Sequence, residues 1–166
     1  MPIKIIDGDL FCTSAMYICH QVNCKGRMGR GVAKQIKTRF PWAYTAYADR
    51  CHKFGDQNLG HAQVVVDGKK HPDSQEKEIR IVNLFAQKSY GHDGKCYTDY
   101  EAFQSAMEEL ERELHQGETI AMPYLIGCGL GGGNWSRVLK IIEGTVAKNH
   151  IVELWKLGEP CTQTQK

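Results

Sequence analysis

Two glycine-dense segments limit what this chain can fold into, because each lies between a short apolar run and an amphipathic helical pattern. The first, Asn23-Cys24-Lys25-Gly26-Arg27-Met28-Gly29-Arg30-Gly31-Val32, has three glycines in six residues. The second runs from Ile126 to Trp135 and has five glycines in the seven residues Gly127 to Gly133. A strand followed by a glycine turn and a helix, used twice, points to an open and largely parallel sheet with helices on both faces.

The rest of the chain fits that frame. Ile3 to Ile6 reads as a strand, and Met16 to Val22 as a second one, apolar enough to be buried on both faces. Val32, Ala33, Ile36 and Phe40 recur at helical spacing from Gly29 on, until Pro41 disfavours helical geometry at Phe40. A helix is expected over Trp42 to Phe54 with Gly55 as its stop, then a strand over Ala62 to Val66 ending in Asp67-Gly68, and a polar loop from Lys69 to Lys77. Ile79 to Phe85 follows as a strand, and Gln87 to Tyr97 is long and polar enough to be a binding loop.

Thr98 and Glu101 have capping-box spacing ahead of the stripe Phe103, Ala106, Met107, Leu110 and Leu114. Thr119 to Leu125 reads as a strand. Asn134 then caps a helix that turns Trp135, Val138, Leu139, Ile142 and Val146 inward, and Ile151 to Leu157 closes the pattern. We expect one domain over residues 1–157 and a flexible tail over 158–166.

Glycines at such junctions let backbone N–H groups approach an anion and aim the positive end of a helix at it, as phosphate sites do. Two such loops facing one sheet edge can clasp a diphosphate between them. Gly127, Gly129 and Gly132 also satisfy the dinucleotide fingerprint, with Glu153 at a suitable distance beyond. Only one helix and one strand remain after them, too little for a nicotinamide-binding unit.

Gly-Asp-Leu-Phe at Gly8 to Phe11, Met-Gly-Arg-Gly-Val-Ala at Met28 to Ala33 and Ile-Gly-Cys-Gly-Leu at Ile126 to Leu130 together resemble macrodomains. Within that family they are similar to the branch of the terminal ADP-ribose protein glycohydrolase and the fungal ADP-ribose-1''-phosphate phosphatase. The resemblance implies a single three-layer α/β fold, a mostly parallel mixed sheet between helices, with a cleft for ADP-ribose. It places Asp9 on the adenine amino group and Leu10 near the ring. Asn23, Met28, Gly29, Gly31 and Val32 would line the distal ribose and diphosphate, and Gly127, Cys128, Gly129, Leu130, Gly131 and Gly132 would wrap the phosphates.

The likeness breaks at the glycohydrolase's reactive pair, a lysine nucleophile and an assisting aspartate. Alignment of Leu84-Phe85-Ala86-Gln87-Lys88 puts Gln87 at the lysine position, with Lys88 one residue off, and Gly131 stands at the aspartate position. His20, three residues before Asn23, is the candidate catalytic acid or base, and equally reads as a hydrogen-bonded histidine at a strand end. Tyr90, His92, Asp93, Tyr97 and Asp99 are further candidates near the distal ribose.

The expected activity is hydrolysis of an ADP-ribosyl linkage or of ADP-ribose-1''-phosphate, and the alternative is a non-catalytic reader. The expected partner is ADP-ribose, or a protein, nucleic acid or metabolite that carries it, bound by a monomer. The seven cysteines include no Cys-x-x-Cys pair, which points to reduced thiols, and their spacing with His20 and His52 matches no metal site. No cofactor is expected. A net charge of +2 makes no nucleic-acid footprint, although Lys25 to Arg39 is locally basic. The absence of a signal-peptide core and of a bilayer-length apolar run points to the cytoplasm.

Overall fold

The computed structural model describes residues 2–68 and 77–157. The expected 158–166 tail, and all of the expected 69–77 loop except Lys77, lie outside the described residues. The chain runs β1 (Ile3–Asp7), β2 (Tyr17–Asn23), α1 (Gly31–Arg39), α2 (Pro41–Phe54), β3 (Ala62–Val66), β4 (Arg80–Gln87), α3 (Tyr100–Glu113), β5 (Thr119–Pro123), α4 (Trp135–Gly144) and β6 (Ile151–Lys156). Three short 3-10 turns stand at Leu10–Cys12, Gly55–Asn58 and Val146–Lys148.

The strands form one sheet in the order β1-β6-β5-β2-β4-β3. All neighbours are parallel except β3, which pairs antiparallel with β4. Alternation along the strands sends side chains to two separate cores. Cys19, Val82, Leu84 and Ile120 meet Phe103, Met107 and Leu110 of α3 and Val138 and Ile142 of α4. On the opposite face Ile18, Val22, Ile81 and Phe85 meet Ile36 of α1 and Ala43 and Tyr47 of α2. The result is three layers, helices on a mixed sheet on helices, as expected. Phe103, Met107 and Leu110 are fully buried, and each contributes roughly 1.5–3 kcal/mol of apolar transfer.

Several boundaries differ from the sequence reading, each for a local reason. α1 opens at Gly31, which sits at φ +58, rather than at Gly29. β4 continues through Gln87 because its pairing with β2 persists past an irregularity between Val22 and Asn23. β5 stops at Pro123 rather than Leu125, since the Ile126 amide turns back to the Pro123 carbonyl at 3.1 Å. Val146 is buried as expected, but in a 3-10 turn beyond α4. Cys19, Cys24, Cys51, Cys96 and Cys128 are free thiols. Cys12 departs from the expectation of reduced thiols: it is disulfide-bonded, and a single bridge leaves no spacing signature in a sequence.

The cap of α3 is a further correction. Asp99, not Thr98, is the N-cap, and its carboxylate accepts from the Ala102 amide at 3.0 Å. Thr98 is buried and turned away, donating its hydroxyl to the Gly127 carbonyl at 2.6 Å. Asp99→Ala is therefore expected to lower stability by about 1 kcal/mol in urea unfolding, the usual worth of an N-cap.

Candidate ligand-binding cleft

A cleft of about 540 Å³ opens beyond the carboxyl ends of β2, β4 and β5, within the range of small-ligand sites. β2 lies between the other two in the sheet, so the loops that leave all three strands converge on one edge. Both glycine segments reach the cleft, with Gly29, Gly31 and Val32 on one wall and Gly127 to Gly131 on the other.

Their backbone donors are open. Among the described residues the N–H groups of Gly129, Leu130 and Gly131 donate to no protein acceptor. At the start of α1, Arg30 occupies the N-cap position without a side-chain cap bond, and the amides of Gly31, Val32 and Ala33 likewise have no acceptor. Two sets of free amides, one of them at the positive end of a helix, thus border the same space.

The second loop is held from beneath by side chains. Gln21 Nε2 donates to Gln87 Oε1 and to Thr98 Oγ1, both at 2.8 Å, and the Thr98 hydroxyl donates in turn to the Gly127 carbonyl. The amides of Tyr97 and Thr98 then bind the Gly131 carbonyl at 2.7 and 3.0 Å. Gln21 was not singled out from the sequence, and Thr98 only as a helix cap. The one available signal was Gln21, a polar residue beside His20 in a largely buried strand.

Asn23 shapes the first loop. Its Oδ1 accepts from the Lys25 amide at 2.9 Å and lies 2.8 Å from the Tyr47 hydroxyl, while its Nδ2 donates to the Arg27 carbonyl at 2.9 Å. Gln87 lines the cleft, but its amide is held by Gln21 and by the Ser89 carbonyl. Lys88 is exposed and does not line the cleft. Cys128 and Leu130 line it, and burial together with neighbouring Cys96 pushes the Cys128 thiol up, away from a reactive thiolate.

Not every expected residue reaches this space. Leu10 and Met28 are buried in the core beneath α1, and Gly132 is not in the cleft wall. Asp9 sits beyond β1, where one carboxylate oxygen caps the Phe11 amide at 2.9 Å and the other lies 3.9 Å from Arg39. Of the loop candidates, Tyr90 and His92 line the cleft, while Asp93 is hydrogen-bonded to Tyr97 outside it and Asp99 caps α3. Among the described residues no lysine, aspartate or glutamate lines the cleft, and Arg27 and Arg30 are its cations.

His20 lines the cleft yet is nearly fully buried, with Nε2 at 2.6 Å from Asn83 Oδ1. Burial lowers its pKa from 6.5 to about 4, against a smaller raising effect of the Asn83 bond. At neutral pH the ring is therefore uncharged, which removes it as an imidazolium acid. Since the folded value lies below the unfolded one, this contribution to stability is complete above about pH 6.5 and is lost as pH falls towards about 4, roughly 3 kcal/mol in all. Urea unfolding at pH 7 and pH 5 should show the loss, and His20→Gln should flatten it.

Comparison with known proteins agrees with this geometry. A family model described as Macro domain matches residues 19–142. A DNA ADP-ribosyl glycohydrolase of Mycobacterium tuberculosis is 35% identical over 136 residues, which cover 79% of this chain. The chain spans only 35% of that relative's length. An ADP-ribose 1''-phosphate phosphatase of Debaryomyces hansenii is 31% identical, with 80% of this chain and 88% of the relative covered. The solved macrodomain of Thermus aquaticus DarG superposes with a TM-score of 0.72 at 29% identity, covering 95% of this chain and 98% of that one. With the model matched across β2 to α4, the chain belongs to the macrodomain family.

Proposed function

We propose that the cleft binds ADP-ribose and hydrolyses an ADP-ribosyl linkage or ADP-ribose 1''-phosphate. The observation that carries the binding is the pair of uncommitted amide sets, at Gly129 to Gly131 and at Gly31 to Ala33, facing one space. A diphosphate satisfies both without needing a cationic side chain.

Sheet order supports an arrangement for the rest of the ligand. From one edge inward, Asp9 follows β1, the Gly127 to Gly131 loop follows β5, Asn23 ends β2 and Gln87 ends β4. Adenine at Asp9, diphosphate between the loops and distal ribose over β2 and β4 follow that order. A bond to be cleaved then lies towards Gln87, Tyr90 and His92. In this reading water is the nucleophile, activated by the ligand's own phosphate or by groups of the β4–α3 loop. The partner is ADP-ribose, or a protein, nucleic acid or metabolite bearing it, met in the cytoplasm by a monomer.

One observation favours the alternative, a reader that binds without turnover: no lysine or carboxylate lines the cleft among the described residues, and His20 is a weak base. Calorimetric titration with ADP-ribose, followed by chromatography of ADP-ribosylated substrates and of ADP-ribose 1''-phosphate, separates the readings. Binding with release supports the hydrolase, binding without release the reader, and no binding overturns both.

Two substitutions test the assigned contacts. A Cβ at position 129 meets nothing within 4 Å, so Gly129→Val should fold and still weaken ADP-ribose at least about tenfold by covering a phosphate donor. Asp9→Ala should cost about 1.5–3 kcal/mol of ADP-ribose affinity, one charge-assisted hydrogen bond. Unchanged affinity in either variant removes the corresponding contact.

A further inference from the structure

Thr98 grips the second glycine loop at two points. Its hydroxyl donates to the Gly127 carbonyl at 2.6 Å and its amide to the Gly131 carbonyl at 3.0 Å. Between those two anchors lie the amides of Gly129, Leu130 and Gly131, which have no acceptor among the described residues. Thr98 is itself fixed, because it stands between β4 and α3 and the next amide, that of Asp99, donates to the Ala86 carbonyl at 2.7 Å. At 6% exposure it lies outside the cleft wall, so it acts on the cleft only through the loop.

The direction of each bond is set from the far end of the chain of side chains. The Ser89 carbonyl only accepts, so the nitrogen of Gln87 faces it at 2.7 Å and the Gln87 oxygen faces Gln21. Gln21 must then present its nitrogen, which donates to Thr98 Oγ1 as well. The Thr98 proton finds no acceptor at Gln21 and goes to the Gly127 carbonyl. The Gln21 oxygen is left buried without a partner among the described residues, which the two donated bonds offset.

The loop is drawn closely onto these two side chains. A Cβ on Gly127 would meet Gln21 Oε1 at 2.7 Å, one on Gly131 would meet Thr98 Oγ1 at 2.7 Å, and one on Gly133 would meet Thr98 Cβ at 3.3 Å. Three of the loop's glycines are thus explained by Gln21 and Thr98 and not by the ligand.

We propose that Thr98, oriented by Gln21, is a positioning residue for phosphate recognition: it holds the loop in the conformation that presents the Gly129, Leu130 and Gly131 amides to the cleft. This rests on the cleft being the ADP-ribose site, and it places part of the affinity for the diphosphate in a side chain that touches no ligand. A loop held before the ligand arrives loses little freedom on binding, which strengthens every contact its amides make.

The test compares the wild type with Thr98→Val and Thr98→Ser by calorimetric titration with ADP-ribose and by amide proton–nitrogen NMR of the free proteins. Valine keeps the shape and removes the proton, so it should weaken ADP-ribose about fivefold, the worth of one neutral hydrogen bond, and shift the Gly129, Leu130 and Gly131 resonances. Serine keeps the hydroxyl and should restore both. A merely structural role would lower the urea midpoint and leave the folded protein's affinity and these three amides unchanged. Equal affinity in the valine variant and the wild type overturns the proposal, as does a serine variant no better than the valine one. If the wild type does not bind ADP-ribose, that reading fails on its own, and unmoved loop amides in the valine variant overturn the positioning role separately. If the valine variant does not fold, Gln21→Met takes its place: it removes the donor that commits the Thr98 proton, and should weaken ADP-ribose about threefold and shift the same three amides. Wild-type affinity and spectra in that variant overturn the proposal.

Discussion

The hydrogen bond from Thr98 to the Gly127 carbonyl holds the cleft in shape. It joins the residue ahead of α3 to the loop after β5, and through Gln21 and Gln87 it reaches the two strands on which the cleft floor is built. The second glycine loop carries few side chains of its own to pack, so its position comes from this knot and from the Tyr97 and Thr98 amides on Gly131. With its Gly127 and Gly131 carbonyls engaged from below, the loop keeps the amides of Gly129 to Gly131 as open donors. The anion site of the proposed function rests on where the other hydrogen bonds go, not on any cationic residue in the loop.

That origin sets the chemistry of the cleft. In the proposed function, fixed amide dipoles in a partly enclosed space hold the diphosphate without the desolvation that a buried lysine would incur, and their direction discriminates by shape as well as by charge. The neutral wall of His20, Gln21, Asn23 and Gln87 suits hydroxyls better than ions. Arg27 and Arg30 at the cleft, and the exposed lysines of α1, add long-range attraction that salt will screen.

Much of the fold was legible because each apolar run has its own period. The stripe of α3, the buried runs of β2 and β4 and the glycine junctions all fell within a few residues of their places, since strand and helix need different spacings to bury one face. The misplaced boundaries depend on contacts that a sequence does not display. Gln87 is in a strand because Asn23 is beside it, and Thr98 fails to cap because its hydroxyl donates to a distant carbonyl. The glycine walls of the cleft were likewise legible, for few other roles demand that density. The supporting polar residues were not. Asn83 and Gln63 sit singly in strands, and only register across three strands shows that they form a row ending at His20.

The same knot links the two departures from the glycohydrolase pattern. Gln87, at the lysine position, accepts from Gln21, and Gln21 in turn donates to Thr98. Gly131, at the aspartate position, packs so tightly that a Cβ there would meet the Gly127 carbonyl and Thr98 Oγ1 at 2.7 Å each. A lysine at 87 would lose the acceptor that helps to orient Gln21, and a carboxylate at 131 would displace the threonine that Gln21 binds. Gln21, Thr98 and Gly131 form one packed arrangement that leaves a Cβ at position 131 no room and engages the Gln87 side chain in hydrogen bonds.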